Sequence, residues 1–233
     1  KGHFFYNQIG SINNNLNFEI NLQNVEGDNY LKKHKLKKNS FLIKDDNLLL
    51  SNLDLNWELD KSSLSTSFKI FEDLSRGHRD RYQYIFPDYN FSKIVEIPSN
   101  YNGQFNFNSY GYNKNYDTNI SESVLTNDFL YSSNQFINVK GIVSSYELLL
   151  KNNNSYSKNS STFKENANYD IFGTFKYDSS LPMAKIMTDY RHYLTPKVSF
   201  RYSPNDNNDI SSKNILLDYN NVFSLNRIGT NHE

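Results

Sequence analysis

Asp54, Asn56, Glu58 and Asp60 stand at every second position of one run, with Leu53, Leu55, Trp57 and Leu59 between them. Glu19, Lys69, Lys197 and Arg201 sit in runs of the same kind, against Phe68 in one and Val198, Phe200 and Tyr202 in another. Groups spaced by two along an extended chain project to one side, so each run has a charged face and an apolar face. The chemistry open to such a mixed-sign set is ion pairing, contact with a polar partner, or the lining of a hydrated passage. A charge-selective ring needs one sign, and this set has two. Arg201 suits carboxylate or phosphate, because its planar fork makes two parallel hydrogen bonds.

Other chemistry is poorly supported. His3, His34, His78, His192 and His232 are scattered without metal-ligand spacing, and there is no cysteine for a thiolate site or a disulfide. No serine, histidine and acid stand in a pattern that suggests a nucleophile. No catalytic, cofactor-binding or metal-binding residue is therefore expected, and no enzyme. The basic turn from Tyr30 to Lys38 carries five lysines, which either attract anionic headgroups or are simply solvated. With 25 basic and 25 acidic residues the net charge is 0, and no basic stripe announces a nucleic-acid partner.

The elements that would hold these groups are strands. Phe4–Ile12 and Leu16–Gln23 are separated by three asparagines. Leu53–Asp60 and Leu64–Ile70 are separated by Lys61-Ser62-Ser63, a hairpin pattern. Phe41–Ile43 and Leu48–Leu50 lead into that hairpin. Tyr82–Phe86 reads as a short strand stopped by Pro87, and Phe91–Ile97 as another closed by Pro98. Gln104–Tyr112, Tyr116–Val124, Gln135–Val143, Tyr146–Leu150, Tyr169–Tyr177, Lys197–Tyr202 and Ile215–Leu225 follow. Lys151–Asn166 and Asn205–Asn214 read as long polar loops, and Met183–Met187 as a helical turn. The expectation is an all-β chain of about eleven or twelve antiparallel strands without a helix of any length.

Two architectures use this pattern. A soluble sandwich buries the apolar face between sheets, whereas an outer-membrane barrel turns it to lipid and its polar face to a hydrated lumen. Three features favour the barrel. Strands with their flanks reach the roughly 9–11 residues that a tilted membrane strand needs. Short turns alternate with long polar loops. Trp57, Phe71, Tyr82, Tyr84 and Tyr202 lie near strand ends, where interfacial aromatic girdles sit. On this reading Glu19, Asp54, Asn56, Glu58, Lys69, Lys197 and Arg201 face the lumen. Leu53, Leu55, Trp57, Leu59, Phe68, Val198, Phe200 and Tyr202 then face lipid.

Three stretches sharpen the picture: Glu26-Gly27-Asp28-Asn29-Tyr30-Leu31-Lys32-Lys33, Leu194 to Asn205, and Asn221 to Gly229. In this order and spacing the chain resembles the lipopolysaccharide-assembly outer-membrane protein family (the LptD type, or organic-solvent-tolerance protein). The resemblance implies a translocon in the outer membrane of a Gram-negative bacterium that assembles lipopolysaccharide into the outer leaflet. It implies a plugging outer-membrane lipoprotein (LptE type) and a periplasmic lipopolysaccharide bridge protein as partners, the latter reached through an N-terminal periplasmic domain. Residues 1–233 would be part of a single barrel domain, an incomplete transmembrane β-barrel segment without that N-terminal domain or the closing strands. A general channel or receptor barrel, or a soluble β-sandwich binding module, are the alternatives.

Overall fold

Two-residue alternation does produce strands, and they are long. The computed structural model describes residues 2–35, 45–98, 101–163, 165–204, 218–219 and 221–225. Its elements are β1 (His3–Asn13), β2 (Leu16–Val25), α1 (Tyr30–His34), β3 (Leu48–Leu59), β4 (Ser62–Asp73), β5 (Tyr82–Val95) and β6 (Gly103–Tyr116). β7 (Ser121–Ser133), β8 (Phe136–Ile137), β9 (Val143–Lys158), β10 (Asn168–Ser180), β11 (Met183–Ile186), β12 (Arg191–Leu194) and β13 (Lys197–Tyr202) complete them. Eleven strands form one sheet in the order β1-β2-β3-β4-β5-β6-β7-β9-β10-β13, with β8 on β9, while β11 and β12 form a separate pair. Among the described residues no pairing joins β13 to β1. From β3 to β7 the strands run 12 to 14 residues, against about 5–6 in ordinary sheets.

The chain divides into two compact units. The first comprises Lys1–Lys93, Asn108–Thr126 and Asn153–Tyr169; the second comprises Ile94–Phe107, Asn127–Asn152 and Asp170–Glu233. In the first unit, Trp57 stands opposite Leu16 on one side and Leu64 on the other, and Leu53 opposite Ile20 and Phe68. The stretch Glu26–Lys33 caps the end of this unit. Gly27 has φ +113°, which L side chains avoid, and its carbonyl accepts the Tyr30 N–H at 3.0 Å. That turn starts α1 and drives Leu31 into contact with Leu49 and Leu74, with Phe5, Val25 and Tyr30 packed around them. Burying each leucine contributes about 1.5–3 kcal/mol, which stabilises a helix too short to persist alone.

Asp28 of the same stretch is held by Arg81, whose Nη2 lies 2.8 Å from Asp28 Oδ1 and 2.7 Å from Glu72 Oε1. The hydrogen bond from Arg81 holds the Asp28 carboxyl below its ordinary value of 3.8. Hydrogen bonds to Asp28 and Glu72 push the Arg81 guanidinium upward. A depressed carboxylate contributes stability above its unfolded pKa and loses it as pH falls through the folded one. Arg81→Gln should therefore lower the thermal midpoint of the refolded full-length protein at pH 6. The difference from the parent should shrink as pH falls below about 4; a constant difference would exclude the bridge as its cause.

In the second unit, β10 and β13 pair from Phe175↔Tyr202 to Ser180↔Lys197. Phe175 and Phe200 meet at 6.5 Å between centroids, and Phe105 and Phe107 approach Phe129 at 6.2 and 4.9 Å.

Several expectations are corrected. Pro87 does not stop a strand, because Ser67 pairs with Asp88 and Lys69 with Ile85, leaving Phe86 and Pro87 both opposite Phe68. That bulge is where a residue lacking an N–H loses no ladder bond, and Tyr82–Phe86 and Phe91–Val95 are one strand. The Lys61-Ser62-Ser63 break is only the turn Asp60-Lys61; Ser62 and Ser63 pair with Leu59 and Glu58. Lys151–Lys158 is not loop but the second half of β9, where side-chain bonds such as Thr126 Oγ1 to Asn153 Oδ1 (2.6 Å) replace apolar contacts. Met183–Met187 is no helical turn, since Met183–Ile186 is β11. The basic turn begins as α1, ended by Lys35 at φ 51°. Gln135–Val143 keeps only β8 before a turn, and Tyr116–Val124 contains the β6–β7 turn. Phe41–Ile43 and Asn205–Asn214 lie outside the described residues, as do 215–217 and 220 of the expected strand Ile215–Leu225, whose described part is turn and bend.

Candidate functional site

The polar faces of the strands carry the site. In the first unit Glu19 stands opposite Asp54, Asn17 opposite Asn56, Asn52 opposite Lys69 and Glu58 opposite Ser63. Glu19, Asp54, Asn56, Glu58 and Lys69 therefore share one face, and Leu53, Leu55, Trp57, Leu59 and Phe68 share the other. Two carboxylates directly across a ladder repel, and donors offset the repulsion here. Asn7 Nδ2 donates to Glu19 at 3.1 Å, Asn52 Nδ2 to Asp54 at 2.6 Å, and Ser67 Oγ also donates to Asp54. Lys69 reaches Asp88 at 2.5 Å. A cavity of about 400 Å³ opens over Glu19, Asn21, Asn52, Asp54 and Lys69. Phe71, expected in an aromatic girdle, lines this cavity instead, because its register opposite Leu50 puts it on the polar face.

Farther along the same unit, Lys114 Nζ lies 2.9 Å from Glu122, whose other oxygen accepts from Ser160 at 2.6 Å. In the second unit Lys176 lies between Glu147 (3.0 Å) and Asp178 (2.9 Å), and Lys197 reaches Asp178 at 3.3 Å. Lys151 Nζ lies 2.6 Å from Asp128 and is only 1% exposed. Lys197 and Arg201 share one face of β13 with Ser199, while Val198, Phe200 and Tyr202 share the other. Lys197 Nζ also sits 4.8 Å from the Phe223 ring centre, and Arg201 Nε donates to Leu225 O at 3.2 Å. The second and third sequence stretches thus meet over that polar face.

Lys114, Glu122, Asp128, Glu147, Lys151, Lys176 and Asp178 were missed by sequence reasoning. Lys151 fell in an apparent loop. The signal for Lys176 was present: it alternates with Phe175 and Tyr177, as Lys69 does with Phe68 and Ile70. Among the described residues no three His, Asp or Glu side chains are grouped to hold a metal ion. His3 bonds the Tyr30 hydroxyl at 3.1 Å, the His34 ring lies tilted against the Tyr30 ring at 4.4 Å between centroids, and His192 meets Tyr190 edge-on. Such an arrangement offers lined-up donors, acceptors and matched charges.

Burial is inverted relative to a water-soluble sheet protein. Among the described residues the buried hydrophobics are Leu31, Leu49, Leu74 and Leu149, whereas Glu122, Thr126, Asp128, Lys151, Ser157 and Lys176 are among eight buried polar residues. Phe4, Trp57, Leu59, Phe68, Val198, Phe200 and Tyr202 are exposed. Exposed apolar side chains on neighbouring strands of one unit, such as Trp57, Leu59 and Phe68, mark contact with a partner or with lipid. A family model described as "LptD: LPS transport system D" matches residues 1–231. No curated protein matches the chain.

Proposed function

The chain belongs to the LptD family of lipopolysaccharide transport proteins, and on that premise we propose that residues 1–233 are part of a single outer-membrane barrel domain that assembles lipopolysaccharide into the outer leaflet in a Gram-negative bacterium. One observation carries the reading: apolar side chains are exposed on one face of the strands while paired charges are buried on the other. A soluble sandwich has the opposite need, because its apolar face must leave water. Glu19, Asp54, Asn56, Glu58, Lys69, Lys197 and Arg201 line the lumen on this reading. Leu53, Leu55, Trp57, Leu59, Phe68, Val198, Phe200 and Tyr202 face lipid. The lumen is built for polar cargo. Its carboxylates and lysines neutralise one another, so a phosphorylated saccharide meets hydrogen-bonding groups without a field of one sign to trap or repel it. The acyl chains of the same molecule gain nothing there and stay with hydrocarbon. The work is transport, not catalysis. A plugging lipoprotein occupies the lumen, and a periplasmic bridge protein delivers the lipid through a domain upstream of this segment.

Depleting the full-length protein should lower lipopolysaccharide at the cell surface and admit large hydrophobic antibiotics. Unchanged surface lipopolysaccharide with altered uptake of small solutes would instead point to a general channel. Arg201→Gln refines the test. Normal assembly with a leaky outer membrane would assign Arg201 to transport or plug contact. Failed assembly would assign it to holding the returning segment through Leu225.

A further inference from the structure

The pairing of β10 with β13 continues past the ends of those strands. Ser180 stands opposite Lys197, the Leu181 N–H donates to Pro196 O at 3.0 Å, and Met183 stands opposite Leu194. β11 and β12 therefore prolong the same ribbon in the same register, with Pro182 and Pro196 interrupting it. Met187 N–H donating to Tyr190 O at 2.9 Å closes the tip. Every residue of β11 and β12 is exposed.

What this ribbon exposes is unusual for water. Ile186 is 69% exposed, Tyr193 70% and Leu194 63%, and Met183, Met187 and Tyr190 are exposed too. A two-stranded ribbon is marginally stable on its own in water, and this one is apolar on both sides. Met183 and Leu194 lie on one face, Ala184 and Tyr193 on the other. Cations interrupt both faces: Lys185 stands opposite His192, and Arg191 opposite Ile186. Asp189 is the only carboxylate from Met183 to Leu194, so the fixed charges are two positive against one negative. Aromatic rings and flexible apolar chains alternating with cations form the composition of segments that lie at a bilayer surface.

We propose that the β11–β12 hairpin docks on the phospholipid headgroup layer of the membrane that β10 and β13 cross. Lys185 and Arg191 take headgroup phosphates, while Met183, Ile186, Tyr190 and Tyr193 rest at the boundary with the acyl chains. Charge complementarity selects this occupant, since an anionic headgroup layer attracts each nearby cation. Position selects it as well: only Leu181-Pro182 and Thr195-Pro196 separate the hairpin from the strands, so it leaves them at the membrane surface. The proposal rests on reading those strands as membrane-spanning.

The test uses the full-length protein in outer membranes, with the photoreactive residue benzoylphenylalanine replacing Tyr190, Tyr193 or, as a control, Phe200. After irradiation, adducts are identified by mass. Phospholipid adducts at 190 and 193 are expected. In proteoliposomes containing phosphatidylglycerol, Lys185→Gln with Arg191→Gln should lower the share of anionic adducts, by about fivefold per cation. A lipid adduct at 200 with only protein, only lipopolysaccharide or nothing captured at 190 and 193 overturns the hairpin proposal alone. An unchanged anionic share in the double variant overturns it too. No lipid adduct at 200 removes the membrane-strand reading, and the hairpin proposal falls with it.

Discussion

Lys151→Met should destabilise the folded protein by about 3–5 kcal/mol, the cost of leaving a buried charge without its partner. Lys151 is 1% exposed, and its ammonium lies 2.6 Å from Asp128, itself buried. Removing the lysine strands the carboxylate where water cannot solvate it. The pair is not required for stability as such. Desolvation of two ions offsets much of their attraction, so a well-packed apolar pair of similar volume is often no worse. Lys151→Met with Asp128→Leu should therefore recover most of the loss. Urea titration of the refolded full-length protein measures both variants. A double variant as unstable as the single one would mean that the pair has a role beyond matching charge, such as holding β9 against β7. A single variant within about 0.5 kcal/mol of the parent would place Lys151 in water.

The Lys151 case also shows where the sequence stops being legible. Leu53–Leu59 announced its strand because apolar and polar residues alternate without a break, and both faces could be assigned from it. β13 was read with its ends in place, because Pro196 and Pro204 bracket an alternating run. The second half of β9 gives no such signal. Lys151-Asn152-Asn153-Asn154-Ser155 is polar on both faces, and only cross-strand partners such as Thr126 and Asp128 make it a strand. Such partners lie some 25 residues away in sequence, beyond any local pattern. The bulge at Pro87 hid for the same reason, since it exists only relative to Phe68 on β4. For the candidates on β2, β3, β4 and β13, what was legible is that they share the polar face of their strands, because each is a polar residue in an alternating run. The buried pairs among β7, β9 and β10 were not legible, because pairing depends on register, and register depends on the whole sheet.

Leu55→Lys should cost about 2–4 kcal/mol if the site lies near the bilayer midplane, whereas Asn56→Lys, one residue along, should cost far less. The register fixes the contrast. Leu55 stands opposite Phe18 and Thr66, on the face that also carries Leu53, Trp57 and Phe68; Asn56 stands opposite Asn17 and Ser65, on the face of Glu19, Asp54 and Lys69. With the apolar face turned to lipid, as proposed, a lysine at 55 must either place its charge among acyl chains or bend toward the interface, and both cost free energy. On the same proposal the ammonium at 56 enters a hydrated lumen, on the face it shares with Asp54 and Glu58, where it gains opposite charges. The side chain introduced is identical and the backbone positions are adjacent, so propensity and chain-entropy effects largely cancel between the two variants. Folding titrations of the full-length protein into lipid vesicles compare them. Equal losses would refute the assignment of faces, and a larger loss at 56 would reverse it. Carrying the pair of substitutions along β3 adds depth: the penalty at 53 and 55 should exceed that at 57 and 59 if Trp57 marks the interface, because a cation near the headgroups costs only about 0–1 kcal/mol.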